Sequence, residues 1–181
     1  MDSVPLSKVR IFFALWPSDE ERAALAAWQA PLRELCGGRA MRADTLHATL
    51  VFLGDVEESR LEALQLAAQE VKGRAFHLAF DVARYWGHNH ILYAAASNVP
   101  SKLMQLVEEL EQHLIRHRFH FEKRPYKPQL TLLRHAKCSD APLPAMPRVV
   151  WRVRDFVLVQ SVPDMNGANY QVLARFLLNS P

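Results

Sequence analysis

Two short segments of the chain each place a nitrogen-bearing side chain two residues before a threonine. His47 precedes Thr49 in the first segment, and Gln129 precedes Thr131 in the second. Both segments lie in short apolar runs, Thr45 to Leu53 and Pro128 to Leu133, which predict β-strands. Side chains two apart in a strand share a face, so each segment offers one nitrogen and one hydroxyl to the same space. Two such strands side by side would form a small polar cleft.

The chemistry that this arrangement suggests is displacement at a phosphate diester. A pair of imidazoles suits that reaction, because one takes a proton from the attacking oxygen while the other gives a proton to the leaving oxygen. Neighbouring hydroxyls would hold the non-bridging oxygens, and no metal is required. The second segment departs from the pattern, since Gln129 forms hydrogen bonds but cannot exchange a proton near neutral pH.

Three longer segments resemble one family throughout. They are VRIFFA at 9–14, LHATLVFLGDV at 46–56 and RPYKPQLTLLR at 124–134. Together they resemble the two-histidine phosphoesterases, and among them the bacterial RNA 2′,3′-cyclic phosphodiesterases, a family also described as 2′-5′ RNA ligases. The resemblance extends over nearly the whole chain.

The resemblance implies hydrolysis of RNA or nucleotide 2′,3′-cyclic phosphate ends to 2′-phosphates, without a metal or cofactor. His47 would protonate the departing 3′ oxygen, and Gln129 stands where the family has its base. A positioned acid or base contributes roughly 10²–10⁴-fold, so we expect a strongly impaired enzyme that still binds ligand. The intact surroundings of the glutamine favour an engineered substitution, and a natural loss of hydrolysis is the other explanation. The alternative function is a non-catalytic protein that binds RNA ends or nucleotides.

Two basic residues near the second segment are candidates for binding phosphate. The resemblance assigns Arg134 to the phosphate oxygens, but a regular strand would point it away from Gln129, so we expect the strand to end or bulge there. Lys127 lies about 7 Å from Gln129 on the same face and is expected to steer phosphate rather than act as a base. His135 lies about 20 Å along the strand, too far to replace the base.

Three aromatic residues are candidates for contact with a nucleobase. Phe12 and Phe13 are neighbours in a predicted strand, so alternation sends one into the core and the other to the cleft, where it could stack on a base. The sequence does not say which of the two does so. Tyr170 is a further candidate for lining the cleft.

Composition limits the class of protein. The chain has 181 residues, half of them hydrophobic, and a net charge of +3, which suits a short RNA end better than duplex nucleic acid. We expect a monomer that forms a single two-lobed domain over residues 1–181. Nowhere do about 18 apolar residues follow one another, so no membrane span is predicted. The two cysteines, Cys36 and Cys138, make no disulfide framework and are expected to be free structural thiols in the cytoplasm.

The remaining pattern predicts an α+β fold of two similar lobes, each an antiparallel sheet with helices packed outside, and the active-site cleft between them. Capping-box spacings at Ser18 and Ser59 predict two helices. The first helix reaches to about Leu35 with a break near Pro31, and the second reaches to about Lys72. A third helix is predicted from about Pro100 to His117, with an apolar stripe formed by Leu103, Leu106, Val107, Leu110 and Leu114. Further strands are predicted near 76–82, 91–95, 149–160 and 169–176.

Two histidine pairs have spacings that zinc can use. His88 and His90 form an H-x-H sequence, and His113 and His117 are four residues apart on the third predicted helix. No cysteine or carboxylate completes a recognised zinc pattern, so solvated histidines are the preferred interpretation. A metal-dependent hydrolase is a third, more distant hypothesis.

Overall fold

The computed structural model describes residues 7–139, 141–165 and 167–181. The strands and helices of these residues form an α+β fold. The strands are β1 Lys8–Leu15, β2 Arg39–Ala40, β3 Ala48–Glu57, β4 Phe76–Phe80, β5 Val82–Trp86, β6 Ile91–Ala95, β7 Gln129–Arg134, β8 Val149–Val153, β9 Asp155–Asp164 and β10 Gly167–Leu177. The helices are α1 Asp19–Ala26, α2 Gln29–Cys36, α3 Leu61–Gln69 and α4 Ser101–Arg116.

The strands form two four-stranded sheets and one two-stranded sheet, all with antiparallel pairing. The first sheet has the order β10-β9-β1-β3, the second has the order β2-β7-β6-β5, and β4 pairs with β8. The strands that carry the two motifs therefore belong to different sheets, and β3 contacts β7 where the sheets meet. The predicted fold class is confirmed.

The helices cover the sheets in two groups. The first two helices contact β8, β2 and β7, and the other two contact each other as well as β10 and β3. The apolar stripe predicted for α4 is fully buried; its members are Leu103, Leu106, Val107, Leu110 and Leu114. Within the described ranges, no helix is long and apolar enough to cross a bilayer.

Two details of the predicted helices are wrong. The first helix does end early, but at Ala26 rather than near Pro31, which lies in the first turn of α2, where the missing N–H of proline costs no hydrogen bond. The capping box at Ser18 is confirmed, since its hydroxyl accepts from the Glu21 N–H and the Glu21 carboxylate accepts from the Ser18 N–H. Ser59 caps nothing, because it lies inside a 3₁₀ turn and α3 begins two residues later without a side-chain cap.

The prediction of two free thiols is also wrong. Cys36 and Cys138 form a disulfide, with their Cα atoms 4.4 Å apart. The bond joins the end of α2 to the segment that follows β7, and the Lys137 N–H also donates to the Cys36 carbonyl at 2.8 Å. The two cysteines are 102 residues apart in sequence, so the count and local spacing of cysteines gave no sign of the pairing.

Candidate active site

A pocket of about 190 Å³ lies where the two sheets meet and brings most of the candidate residues together. It combines one imidazole, one carboxamide, hydroxyls and one guanidinium with several aromatic rings. The lining residues are Phe12, Met41, Thr45, His47, Thr49, Phe52, Gln129, Thr131, Arg134 and Tyr170.

His47 is held at both ring nitrogens by neighbours in sequence. Its Nδ1 lies 2.7 Å from the carbonyl oxygen of Thr45, and its Nε2 lies 3.0 Å from the hydroxyl of Thr49. A carbonyl can only accept, so Nδ1 carries the proton of the neutral ring, and Nε2 accepts a hydrogen bond from the Thr49 hydroxyl. The strand begins at Ala48 rather than Thr45, yet His47 and Thr49 share a side as predicted.

Aromatic rings enclose His47. Its ring centroid lies 5.0 Å from that of Phe12, 5.7 Å from that of Trp16 in a stacked arrangement, and 5.2 Å from that of Tyr170 in an edge-on arrangement. These apolar faces exclude water from the imidazole on several sides. The histidine therefore titrates in a largely desolvated environment.

Burial lowers the pKa of His47 to about 4. The hydrogen bond to the Thr45 carbonyl opposes the effect, whereas the positive charges of Arg22 and Arg134 add to it. The imidazole is therefore neutral at pH 7 in the ligand-free site. A bound anion would counter the arginine charges and favour the protonated ring.

The structure separates the two phenylalanines that the sequence left undecided. Phe13 is completely buried and packs against Phe156 and Phe176 in the main core. Phe12 faces the pocket, where it contacts His47 and Tyr170, although only 4% of it is exposed. Of the pocket's rings, Tyr170 and Phe52 are only partly buried, which leaves them more open to a ligand than Phe12.

A bulge in β7 places Arg134 in the pocket. Thr131 pairs with Tyr93 of β6, whereas Leu133 pairs with its neighbour Leu92, so one residue of β7 is unmatched. As a result, Leu132 and Leu133 are both buried. The bulge reverses the alternation, and Arg134 lies on the same side as Gln129 and Thr131. The expected irregularity of this strand is confirmed.

Lys127 does not line this pocket. It lies in an adjoining cavity of about 330 Å³ that shares four residues with the pocket. The shared residues are Thr49, Phe52, Gln129 and Thr131. Lys127 is therefore near the motif residues but one cavity away from His47.

Two residues that position His47 were missed by the sequence analysis. Trp16 stacks on the imidazole, and the Arg22 guanidinium lies 5.3 Å from the Trp16 ring and donates to the carbonyls of Ala43 and Leu46 at 2.5 and 3.3 Å. Side chains two apart in a strand share a face, so Phe12 and Ala14 could have pointed to Trp16, which packs in the same cluster. Arg22 gave no such signal, since its contact depends on how α1 packs.

The spare histidines do not assemble a metal centre. His117 Nε2 lies 3.2 Å from a carboxylate oxygen of Glu70, and His113 Nε2 lies 3.2 Å from the Glu70 carbonyl. Among the residues that the structure describes, no group of three or more histidine, cysteine, aspartate or glutamate side chains is placed to hold a metal ion.

Comparison with known proteins gives consistent matches. Residues 15–93 match the family model described as LigT like phosphoesterase. The chain is 32% identical to the RNA 2′,3′-cyclic phosphodiesterase of Escherichia coli K12, over 93% of this chain and 96% of that protein. It is also 32% identical to the protein of the same name from Thermus thermophilus, over 94% and 90% of the two chains.

The same relationship appears in three dimensions. The crystal structure of E. coli LigT complexed with 3′-AMP superposes with a TM-score of 0.84 at 30% sequence identity, covering 95% of this chain and 99% of that one. Sequence similarity over almost the full length and a shared fold lead to one assignment. The chain belongs to the LigT-like phosphoesterase family.

Proposed function

We propose that this protein binds RNA or nucleotide ends that carry a 2′,3′-cyclic phosphate and hydrolyses them slowly to 2′-phosphates, without a metal or cofactor. The observation that supports this most is the pocket in which His47, Gln129, two threonine hydroxyls and Arg134 converge. The relatives named RNA 2′,3′-cyclic phosphodiesterase supply the reaction type.

Phosphate binding falls to the hydroxyls and the guanidinium. Thr49 and Thr131 donate to the non-bridging oxygens, and Arg134 holds the same group through its planar fork. Within the described part of the chain, no carboxylate pairs with Arg134. Its charge is therefore available to an anionic ligand.

Proton transfer to the leaving group falls to His47. Because the Thr45 carbonyl holds the Nδ1 proton, the proton that is transferred must be on Nε2, the nitrogen that faces Thr49. An anionic substrate raises the pKa of the ring and so supplies the protonated form. His47 then protonates the departing 3′ oxygen as the 2′,3′ ring opens.

Among the described residues that line the pocket, none besides His47 is suited to act as a general base for the attacking water. Gln129 can orient that water by hydrogen bonding but cannot take its proton near neutral pH. This deficit lowers the expected rate by roughly 10²–10⁴-fold compared with a site that has a base. The same deficit favours a second candidate function, a protein that binds RNA ends without turnover.

The test is hydrolysis of a nucleoside 2′,3′-cyclic phosphate in the presence of a chelator, with the product isomer identified. We expect slow formation of the 2′-phosphate, and its loss in His47→Gln. Binding of a nucleoside 2′-phosphate without turnover would favour the binding protein. Activity that the chelator abolishes would contradict the metal-free mechanism.

A further inference from the structure

A second adjoining cavity, of about 240 Å³, opens from the catalytic pocket and shares no lining residue with the cavity that contains Lys127. Four residues line both spaces: Met41, Thr45, Arg134 and Tyr170. The second cavity is therefore continuous with the place where the reacting phosphate is expected. We call it the arginine flank, defined by Arg39, Arg42 and Arg134.

The arginine flank is strongly positive. Three guanidinium groups and no carboxylate are found among the described residues that line it. Asp44 lies 3.6 Å from Nε of Arg42, but both side chains are largely exposed, so this ion pair offsets little of the charge. Arg42 is also anchored across the cavity, because its Nη2 donates to the Ala168 carbonyl at 2.8 Å.

The backbone places two of these arginines directly opposite each other. Arg39 of β2 pairs with Arg134 of β7 in the antiparallel ladder, and paired residues project their side chains to the same face. Like charges at paired positions destabilise a sheet. An anion bound between them would remove that repulsion, which is the arrangement expected of a phosphate subsite.

The adjoining cavity that contains Lys127 is less suited to phosphate. Glu111 and Glu122 balance the charges of Arg124 and Lys127 there, and Trp86 contributes a ring surface. Of these two cavities, judged by their described lining residues, the arginine flank is the one that offers net positive charge to a phosphate next to the reacting one. The balanced cavity with its aromatic ring is better suited to a base.

We propose that the arginine flank binds the phosphate on the 5′ side of the terminal nucleotide, so that the protein selects 5′-extended or 5′-phosphorylated ends over free nucleoside cyclic phosphates. This inference rests on the proposed function, because it takes the reacting phosphate to lie in the His47 pocket. Arg39 and Arg42 act as specificity residues that bind ligand away from the reacting atoms.

The experiment compares calorimetric affinities for adenosine 2′-phosphate and adenosine 2′,5′-bisphosphate, which need no turnover. We expect the bisphosphate to bind about tenfold more tightly, the size of effect that a hydrogen-bonded charge pair gives. In the double variant Arg39→Gln, Arg42→Gln this ratio should fall close to one. The matched control is Arg152→Gln, Arg154→Gln, which removes the same charge from two exposed positions, one in β8 and one directly after that strand, and should keep the ratio.

Three other outcomes would each overturn the proposed phosphate subsite. If the 2′-phosphate binds but the 5′-phosphate adds nothing, the proposed subsite is overturned and the proposed function stands. If the control pair loses the ratio as fully as the Arg39 and Arg42 pair, the gain is non-specific attraction and the subsite is again overturned. If neither ligand binds to a folded protein, the proposed function fails and the subsite fails with it.

Discussion

The Thr45 carbonyl oxygen lies 2.7 Å from Nδ1 of His47 and so fixes the proton of the neutral ring on that nitrogen. The ring cannot present Nδ1 to a ligand while this bond exists. Aromatic packing and nearby arginines then keep Nε2 unprotonated until an anion arrives. Several measurable properties depend on this one histidine.

The first is its titration. We expect His47 to remain neutral down to about pH 4 in the free protein, because burial lowers its pKa. Adding a nucleoside 2′-phosphate should raise that pKa by about one unit or more, since the anion stabilises the protonated ring. NMR titration of the histidine resonances, assigned with His47→Gln, measures both values. A free-protein pKa near the ordinary value of about 6.5 would contradict the description of the site.

The second is the dependence of stability on pH. The unfolded chain binds a proton at His47 near pH 6.5, whereas the folded protein does so only near pH 4. The contribution of His47 to stability is therefore fully present above pH 6.5 and is lost as the pH is lowered toward 4, by at most about 3 kcal/mol. Urea denaturation at pH 7 and pH 4.5 measures the loss, which should be smaller in His47→Gln. An equal loss in that variant would assign the acid sensitivity to other groups.

A third prediction concerns Gln129, which stands where a general base is expected. Gln129→His should raise the rate of cyclic phosphate hydrolysis about 10²–10⁴-fold, because the new imidazole can take the proton of the attacking water. The control Gln129→Asn keeps a carboxamide and should stay slow.

The pH profiles provide a further check on this prediction. For the unaltered chain, kcat/KM should show only a descending limb, falling above about pH 4 as His47 loses its proton. Gln129→His should add an ascending limb and give a bell. A bell-shaped profile for the unaltered chain would mean that another residue already acts as the base.

A fourth prediction tests the geometry of Arg134. Arg134→Lys keeps the charge but loses the planar fork, so we expect affinity for a nucleoside 2′-phosphate to fall about tenfold. Arg154→Lys, at an exposed position, is the matched control and should leave the affinity unchanged. Unaltered affinity in Arg134→Lys, with the melting temperature preserved, would show that only charge is needed there.

A fifth prediction concerns the bond between Cys36 and Cys138. Closing a loop of about one hundred residues stabilises a fold by about 2–5 kcal/mol, largely by restricting the unfolded chain. Reduction should therefore lower the stability measured by urea denaturation by about that amount. The double variant Cys36→Ser, Cys138→Ser should not respond to reductant. Two thiols that titrate in the unreduced, denatured protein would show that the bond is absent.

The sequence by itself determined the family, the α+β class and the two motif pairs that line one pocket, His47 with Thr49 and Gln129 with Thr131. This was possible because the information is local: an alternating strand places His47 beside Thr49, and Gln129 beside Thr131, whatever the rest of the chain does. The amphipathic period of α4 likewise predicted its buried stripe. The sequence also shows that residue 129 is a glutamine, and a carboxamide lacks the proton chemistry of an imidazole in any fold.

Only the tertiary structure decided features that depend on residues distant in sequence. The bulge that turns Arg134 into the pocket arises from how β7 pairs with β6. The chain also approaches β7 closely at Gly38, just before β2, since a Cβ there would lie 2.7 Å from the Arg134 carbonyl oxygen. The choice of Phe12 over Phe13 for the pocket and the pairing of Cys36 with Cys138 depend on the same assembly. Desolvation of His47 is likewise a property of the packed site, because its pKa depends on rings and arginines that converge only after folding.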